Sequence, residues 1–160
     1  MAGPLQIEPF YDTATFTYSY LVLDSDAREA AVIDSVLDFD AKSGRTATAS
    51  ADAIRARVDA LAVKVRWHLE THVHADHLSG AIYLKQQLGG AIAIGARVRT
   101  VQEVFGRIFN AGSEFARDGS QFDRLLEPGD VLELGRFGIT VMPTPGHTPH
   151  HVALRVGTGD

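Results

Sequence analysis

Thr71-His72-Val73-His74-Ala75-Asp76-His77 packs three imidazoles and a carboxylate into six consecutive residues, more metal-ligating capacity than folding alone requires. Val63, Val65, Trp67 and Leu69 lead into it with period-two alternation, the mark of a strand with one face buried. The histidines therefore fall just past a strand end. In layered α/β proteins such crevices at the carboxyl ends of strands hold ligands, because a rigid sheet fixes the side chains while the loop stays open.

A second stretch, Gly146-His147-Thr148-Pro149-His150-His151, takes up most of the remaining imidazoles. All seven histidines lie at 68, 72, 74, 77, 147, 150 and 151, so two segments nearly monopolise them. A solvated His/Asp loop or isolated core histidines would not concentrate them in this way, and a metal site is the expectation.

The 160 residues suit one domain with a sizeable core, read here as residues 1–160. A hydrophobic share of 45% and a charged share of 22% are ordinary for a globular protein. A net charge of −5 without a Lys/Arg run gives no footprint for nucleic acid or an anionic membrane. The absence of cysteine excludes disulfides, zinc–thiolate sites and a cysteine nucleophile from this chain. The first residues lack a basic and apolar leader pattern, and no apolar run is long enough to span a bilayer, so a cytoplasmic location is expected.

Residues 7–11, 15–23 and 29–34 read as three strands of an antiparallel meander, with Asp34 closing the last and bracing the next segment. Residues 35–48 lack periodicity and read as a loop. Ser50 or Asp52 is expected to cap a helix whose stripe is Ile54, Val58 and Leu61. Residues 78–88 read as a helix stopped by Gly89-Gly90, residues 91–94 as a buried strand and residues 98–108 as a helix. A polar loop over 110–122 and a turn at 127–130 precede strands containing Val131 to Leu134, then Phe137 to Val141, then residues 152–156. His68, Tyr18, Tyr20 and Trp67 fit the sheet pattern as core residues, and Arg97, Arg99 and Arg107 as a solvated helix face. The closing Gly157-Thr158-Gly159-Asp160 reads as a hairpin turn without its second strand, so the chain is expected to be the N-terminal part of a longer one.

The two histidine stretches resemble the T-H-x-H-x-D-H and P-G-H-T elements of the metallo-β-lactamase superfamily. Ile33-Asp34-Ser35-Val36-Leu37-Asp38, Ser43-Gly44-Arg45-Thr46, Leu69-Glu70-Thr71 and Gly119-Ser120-Gln121-Phe122-Asp123 are similar to the persulfide dioxygenase and β-lactamase-related hydrolase branch. The resemblance implies an α/β (α+β type) fold, an αββα sandwich with metal-binding loops at one edge, of which this chain would cover the N-terminal part. For hydrolases it implies two zinc ions, one on His72, His74 and His147 and the other on Asp76 and His77. For the dioxygenase branch it implies one Fe(II) on His72, His147 and an aspartate, with His74, Asp76 and His77 supporting the ligands. Asp76 and His77 are then catalytic-site groups that orient imidazoles, and in the hydrolase Asp76 would hold the nucleophilic water.

The implied activity is oxidation of glutathione persulfide to sulfite and glutathione, with dioxygen and a small thiol or persulfide as partners and a homo-oligomer left open. The alternatives are a zinc-dependent hydrolase of thioesters or other small esters and amides, and a non-catalytic metal-binding fragment. Two departures matter. Asp160 follows Gly159, as in the family's Gly-Asp ligand pair, but only one strand separates it from His147; a turn residue is expected, with ligation the alternative. His150 and His151 stand where the family has small or polar residues and are expected to face solvent or pack at the strand start.

Overall fold

The computed structural model describes residues 4–158. Gly159 and Asp160, the candidate ligand pair, lie outside the described residues. The chain forms β1 (Leu5–Asp12), β2 (Thr17–Asp24), β3 (Glu29–Ile33), β4 (Val36–Asp40), β5 (Arg45–Ala47), α1 (Ala49–Leu61), β6 (Lys64–Glu70), β7 (Leu78–Ser79) and α2 (Ala81–Leu88). It continues with β8 (Ala91–Gly95), α3 (Val98–Ile108), β9 (Arg124–Leu126), β10 (Val131–Leu134), β11 (Phe137–Pro143) and β12 (Val152–Gly157).

A six-stranded sheet runs in the order β1-β2-β3-β6-β8-β9, and a three-stranded sheet in the order β10-β11-β12. Alternation along the strands of the large sheet builds two cores. Val22, Ala31, Ile33, Leu69, Ala93 and Leu126 pack against Leu132, Leu134, Ile139, Val141 and Val152 of the small sheet. From the opposite face, Leu21, Leu23, Ala30, Val32 and Val65 meet Ala51, Ile54 and Val58 of α1 and Leu84 of α2. Strands covered on both sides explain the unbroken apolar runs in β2 and β3. Helices, large sheet and small sheet are three successive layers of the expected αββα sandwich, and the stripe of α1 falls as the 3.6-residue period requires. Among the described residues no helix is long and apolar enough to cross a membrane.

Four expectations need correction. Residues 35–48 are not a loop: β4 and β5 form a hairpin, and β4 also pairs with β7. That pairing consumes Leu78 and Ser79, so the helix expected from residue 78 starts at Ala81. Gly80 is required between them, since a Cβ there would lie 2.8 Å from the Val36 carbonyl oxygen. The helix α1 begins after Thr48, whose hydroxyl donates to Asp52 at 2.7 Å, while Asp38 accepts from the Ser50 amide and hydroxyl. Tyr18 and Tyr20 are 50% and 37% exposed and stack beside Tyr11, because the start of β2 extends beyond the small sheet. Trp67 is partly buried against the inter-sheet core and donates its indole N–H to the Glu133 carbonyl at 2.9 Å.

His68 is a core residue, 1% exposed, with Nε2 2.8 Å from the carbonyl of Gly89. A carbonyl only accepts, so Nε2 carries the proton, and burial pushes the pKa below its ordinary value.

Candidate metal centre

The site stands where parallel strands end together. β3 pairs in parallel with β6, and β6 with β8, so Asp34 and Thr71 leave the sheet at the same edge. Asp34 takes a left-handed conformation (φ 49°), which Asp tolerates better than β-branched residues. Its amide donates to the Leu69 carbonyl at 2.9 Å, and its own carbonyl accepts from the Ser19 hydroxyl at 2.8 Å. With its backbone fixed, the carboxylate accepts the Thr71 amide and the Thr71 hydroxyl, each at 2.8 Å. The Val152 amide donates to the Thr71 carbonyl at 3.0 Å. That bond draws the turn carrying His147 against the first histidine stretch.

Hydrogen-bond bookkeeping sets the tautomers. Thr71 has one hydroxyl proton, already given to Asp34, so its oxygen accepts from His72 Nδ1 at 2.9 Å. His72 Nε2 is left with a free lone pair. Burial, and next the charge on His74, lower the His72 pKa to about 4, so the ring is neutral. His74 is the opposite case: Nε2 lies 3.0 Å from Asp34 Oδ1 and 3.3 Å from Glu70 Oε2. Burial works against the charged ring, but the two carboxylates overcome it and raise the pKa to about 10. Glu70 is itself 4% exposed and accepts the Ser79 hydroxyl; burial raises its pKa. His74 Nδ1 points the other way, 3.9 Å from Asp76. His77 Nδ1 donates to the Leu78 carbonyl at 3.0 Å, which frees its Nε2 as well.

The rings converge. His72 lies 4.1 Å from His74 and 4.9 Å from His147 between centroids, and His74 stacks on His77 at 4.2 Å. His150 uses Nε2 as acceptor for the Val73 amide at 3.3 Å, while His151 lies 5.0 Å from His72. The fold thus brings together His72, His74, Asp76, His77 and His147; Asp160 is outside the described residues.

The donors suit a divalent cation. Imidazole nitrogens and an exposed carboxylate are donors that match zinc or ferrous iron, and candidate ligand atoms of His74, Asp76 and His77 lie within 4.8 Å of one another. Asp34 and Glu70 were not among the residues expected to act at the site. Both belong to segments with a sequence resemblance, yet only the fold aims their carboxylates at His74. A cavity of about 770 Å³, lined by Thr15, Phe39, Arg45, His74, Asp76 and Leu78, opens on one side. A smaller one of about 260 Å³ reaches Glu70, His72, Ile82 and Phe122 on the other.

Comparison with known proteins agrees with this architecture. A profile described as the metallo-beta-lactamase superfamily matches residues 12–160. A "Probable metallo-hydrolase" of Burkholderia pseudomallei is 64% identical over 145 residues, covering 91% of this chain and 49% of that protein. The mitochondrial persulfide dioxygenase ETHE1 of Bos taurus is 32% identical over 147 residues, covering 92% of this chain and 46% of the relative. The crystal structure of ETHE1 from Myxococcus xanthus superposes with a TM-score of 0.69 at 24% identity, covering 95% of this chain and 54% of that one, a likeness of fold. The chain spans about half or less of the length of these curated relatives. With a matching profile over nearly its whole length and both histidine elements gathered at one sheet edge, the chain belongs to the metallo-beta-lactamase superfamily.

Proposed function

We propose that residues 1–160 form a metallo-β-lactamase-like domain carrying the site of a mononuclear, iron-dependent persulfide dioxygenase. Its reaction takes glutathione persulfide, dioxygen and water to glutathione, sulfite and two protons. What supports this best is the division of labour within His72-Val73-His74. His72 is neutral with Nε2 free, whereas His74 is held as a cation by Asp34 and Glu70 at 3.0 and 3.3 Å. One ring of the pair is ready to bind a metal and the other is committed elsewhere, as a single-ion centre needs.

His72 and His147 would hold the ion together with a carboxylate, for which Asp160 is the candidate. Ferrous iron held there would supply the electrons for the reaction with dioxygen. The chain's own groups do the rest. The His74 cation lies beside His72 and stabilises negative charge that develops on sulfur and oxygen. Asp76, with a side chain 51% exposed, and His77 both line the larger cavity, where Asp76 would take a proton and His77 Nε2 would orient the substrate. A cavity of about 770 Å³ has room for a tripeptide thiol.

A second reading, a zinc-dependent hydrolase of thioesters or other small esters and amides, is favoured by one observation. Carboxylates behind a histidine N–H also strengthen a ligating ring, and His74 Nδ1 faces Asp76 and His77 as a second ion would require. The deciding experiment is elemental analysis of the anaerobically purified full-length protein. Oxygen uptake with glutathione persulfide and hydrolysis of lactoylglutathione are followed on the same samples. About one iron per chain with oxygen uptake is the expected result. About two zinc ions per chain with thioester hydrolysis and no uptake overturns it in favour of the hydrolase.

A further inference from the structure

The cavity of about 770 Å³ that opens beside His74 and Asp76 is walled in part by the β4–β5 hairpin, and Arg45 of β5 is the only Lys or Arg among the residues lining it. Most arginines of the chain are spent on the fold: Arg57, Arg66, Arg124 and Arg136 pair with carboxylates, and Arg28 and Arg99 donate to backbone carbonyls. Among the described residues the Arg45 guanidinium has no such partner.

The hairpin itself diverts the partner that Arg45 would otherwise have. Asp40 stands directly opposite Arg45 in the strand register, a position at which opposite charges ordinarily meet. Instead, Asp40 closes its own turn: Oδ1 accepts from the Lys42 amide at 2.9 Å and Oδ2 from the Ser43 hydroxyl at 2.8 Å. The Gly44 amide donates to the Asp40 carbonyl at 2.7 Å, with Gly44 at φ 70°, a conformation open to a residue without a Cβ. Asp38, also on the cavity wall, is occupied by the Ser50 amide and hydroxyl at 3.0 and 2.6 Å. The backbone that carries Arg45 is therefore fixed while its charge stays uncommitted.

A free guanidinium on a cavity wall suits a planar anion, because its fork of N–H donors matches a carboxylate with two parallel bonds. Glutathione persulfide and lactoylglutathione both carry carboxylates remote from the sulfur. We propose that Arg45 anchors the substrate, pairing with a carboxylate of the thiol while the sulfur lies at the histidine edge, so that the site selects carboxylate-bearing thiols. The inference rests on the proposal that this site acts on glutathione derivatives, and it holds for the dioxygenase and the thioesterase alike. The pair forms far from the reacting sulfur, in the ground state as in the transition state, so its loss falls on KM rather than kcat.

The test is a double cycle on the full-length protein. Binding of S-methylglutathione, and of its diester with both carboxylates masked, is measured by calorimetry for the wild type and for Arg45→Gln. The wild type is expected to bind the free acid at least about 10-fold more tightly than the diester, and Arg45→Gln to bind both with the same, weaker affinity. Arg155→Gln removes an arginine that does not line the cavity and should keep the wild-type preference, which separates pairing from a change in net charge. In oxygen uptake, Arg45→Gln should raise KM for glutathione persulfide by a similar factor and leave kcat within about twofold. A wild type without the preference, or an Arg45→Gln variant that keeps it, overturns the inference, and oxygen uptake that persists leaves the proposed function standing. If the preference depends on Arg45 but the wild type neither consumes oxygen nor hydrolyses lactoylglutathione, the proposed function falls and the anchor stands.

Discussion

The two histidine stretches meet at one point but are supported differently. The first rests on buried charge: Asp34 and Glu70, 14% and 5% exposed at the side chain, stand behind His74, and Thr71 relays one of them to His72. The second hangs from a turn stiffened by Pro145 and Pro149 and closed on itself by Thr144 and His151; the Val152 amide and the His150 ring hold it to Thr71 and Val73 of the first, and His147 is exposed. Charge state is therefore set by the first stretch, whereas the second completes the geometry and has freedom to adjust. Both rings are desolvated, but only His74 has carboxylates against it to overcome that cost, which is why His72 and His74 move in opposite directions.

Removing the charged support should have the largest effect. Asp34→Ala strips the acceptor from the Thr71 amide and hydroxyl and from His74, leaving buried donors unpaired. A loss of about 3–5 kcal/mol in urea unfolding is expected. A loss below about 1 kcal/mol would mean that the first stretch is no better braced than the second. Next come the ligands. His72→Ala should weaken metal binding by more than about 100-fold, roughly 2.7 kcal/mol, with little change in metal-free stability, as measured by chelator competition. Equal affinity in wild type and variant would remove the first stretch from the centre.

Glu70→Gln sharpens the comparison by keeping shape and deleting charge. In the metal-free protein His74 has a folded pKa of about 10 against an ordinary value of 6.5. A raised pKa stabilises the fold fully below the unfolded value, and that contribution is lost as pH rises through about 10. With one carboxylate gone, the His74 midpoint in an NMR titration should fall by about one unit or more, and the alkaline loss of stability should begin earlier. An unchanged midpoint would assign the whole shift to Asp34. The smallest effect belongs to a histidine outside both stretches. His68→Gln gives up the bond to Gly89 and should cost about 1 kcal/mol while metal affinity stays within about twofold.

Much of this was legible in order along the chain. Alternation located β6 and the strands buried on both faces, and the helical stripe of α1 fell where Ile54 and Val58 are buried; the spacing found α3 but not its buried face, which is Val98, Gln102 and Gly106, with Phe105 and Ile108 exposed. The clustering of imidazoles pointed to the edge where the candidate metal centre gathers. What escaped had partners far away. The β4–β5 hairpin is polar and short, and β4 is paired on its other side by β7, where Val36 meets Ser79 from the far side of α1 and β6. Likewise Tyr18 and Tyr20 alternate like core residues, but exposure depends on how far a second sheet reaches.

The sequence by itself therefore determined which atoms are available for chemistry: imidazoles gathered into two stretches, with His68 alone outside them, acids beside them, and no thiol to compete. Tertiary structure alone decided their states. Parallel pairing of β3 with β6 carries Asp34 to Thr71 and His74, residues 37 and 40 positions away, and burial of Glu70 beneath the same ring completes the clamp. Ligand types come from covalent chemistry and can be read from one position at a time. Protonation, tautomer and direction come from neighbours in space and from the exclusion of water, and those exist only once the sheet has formed.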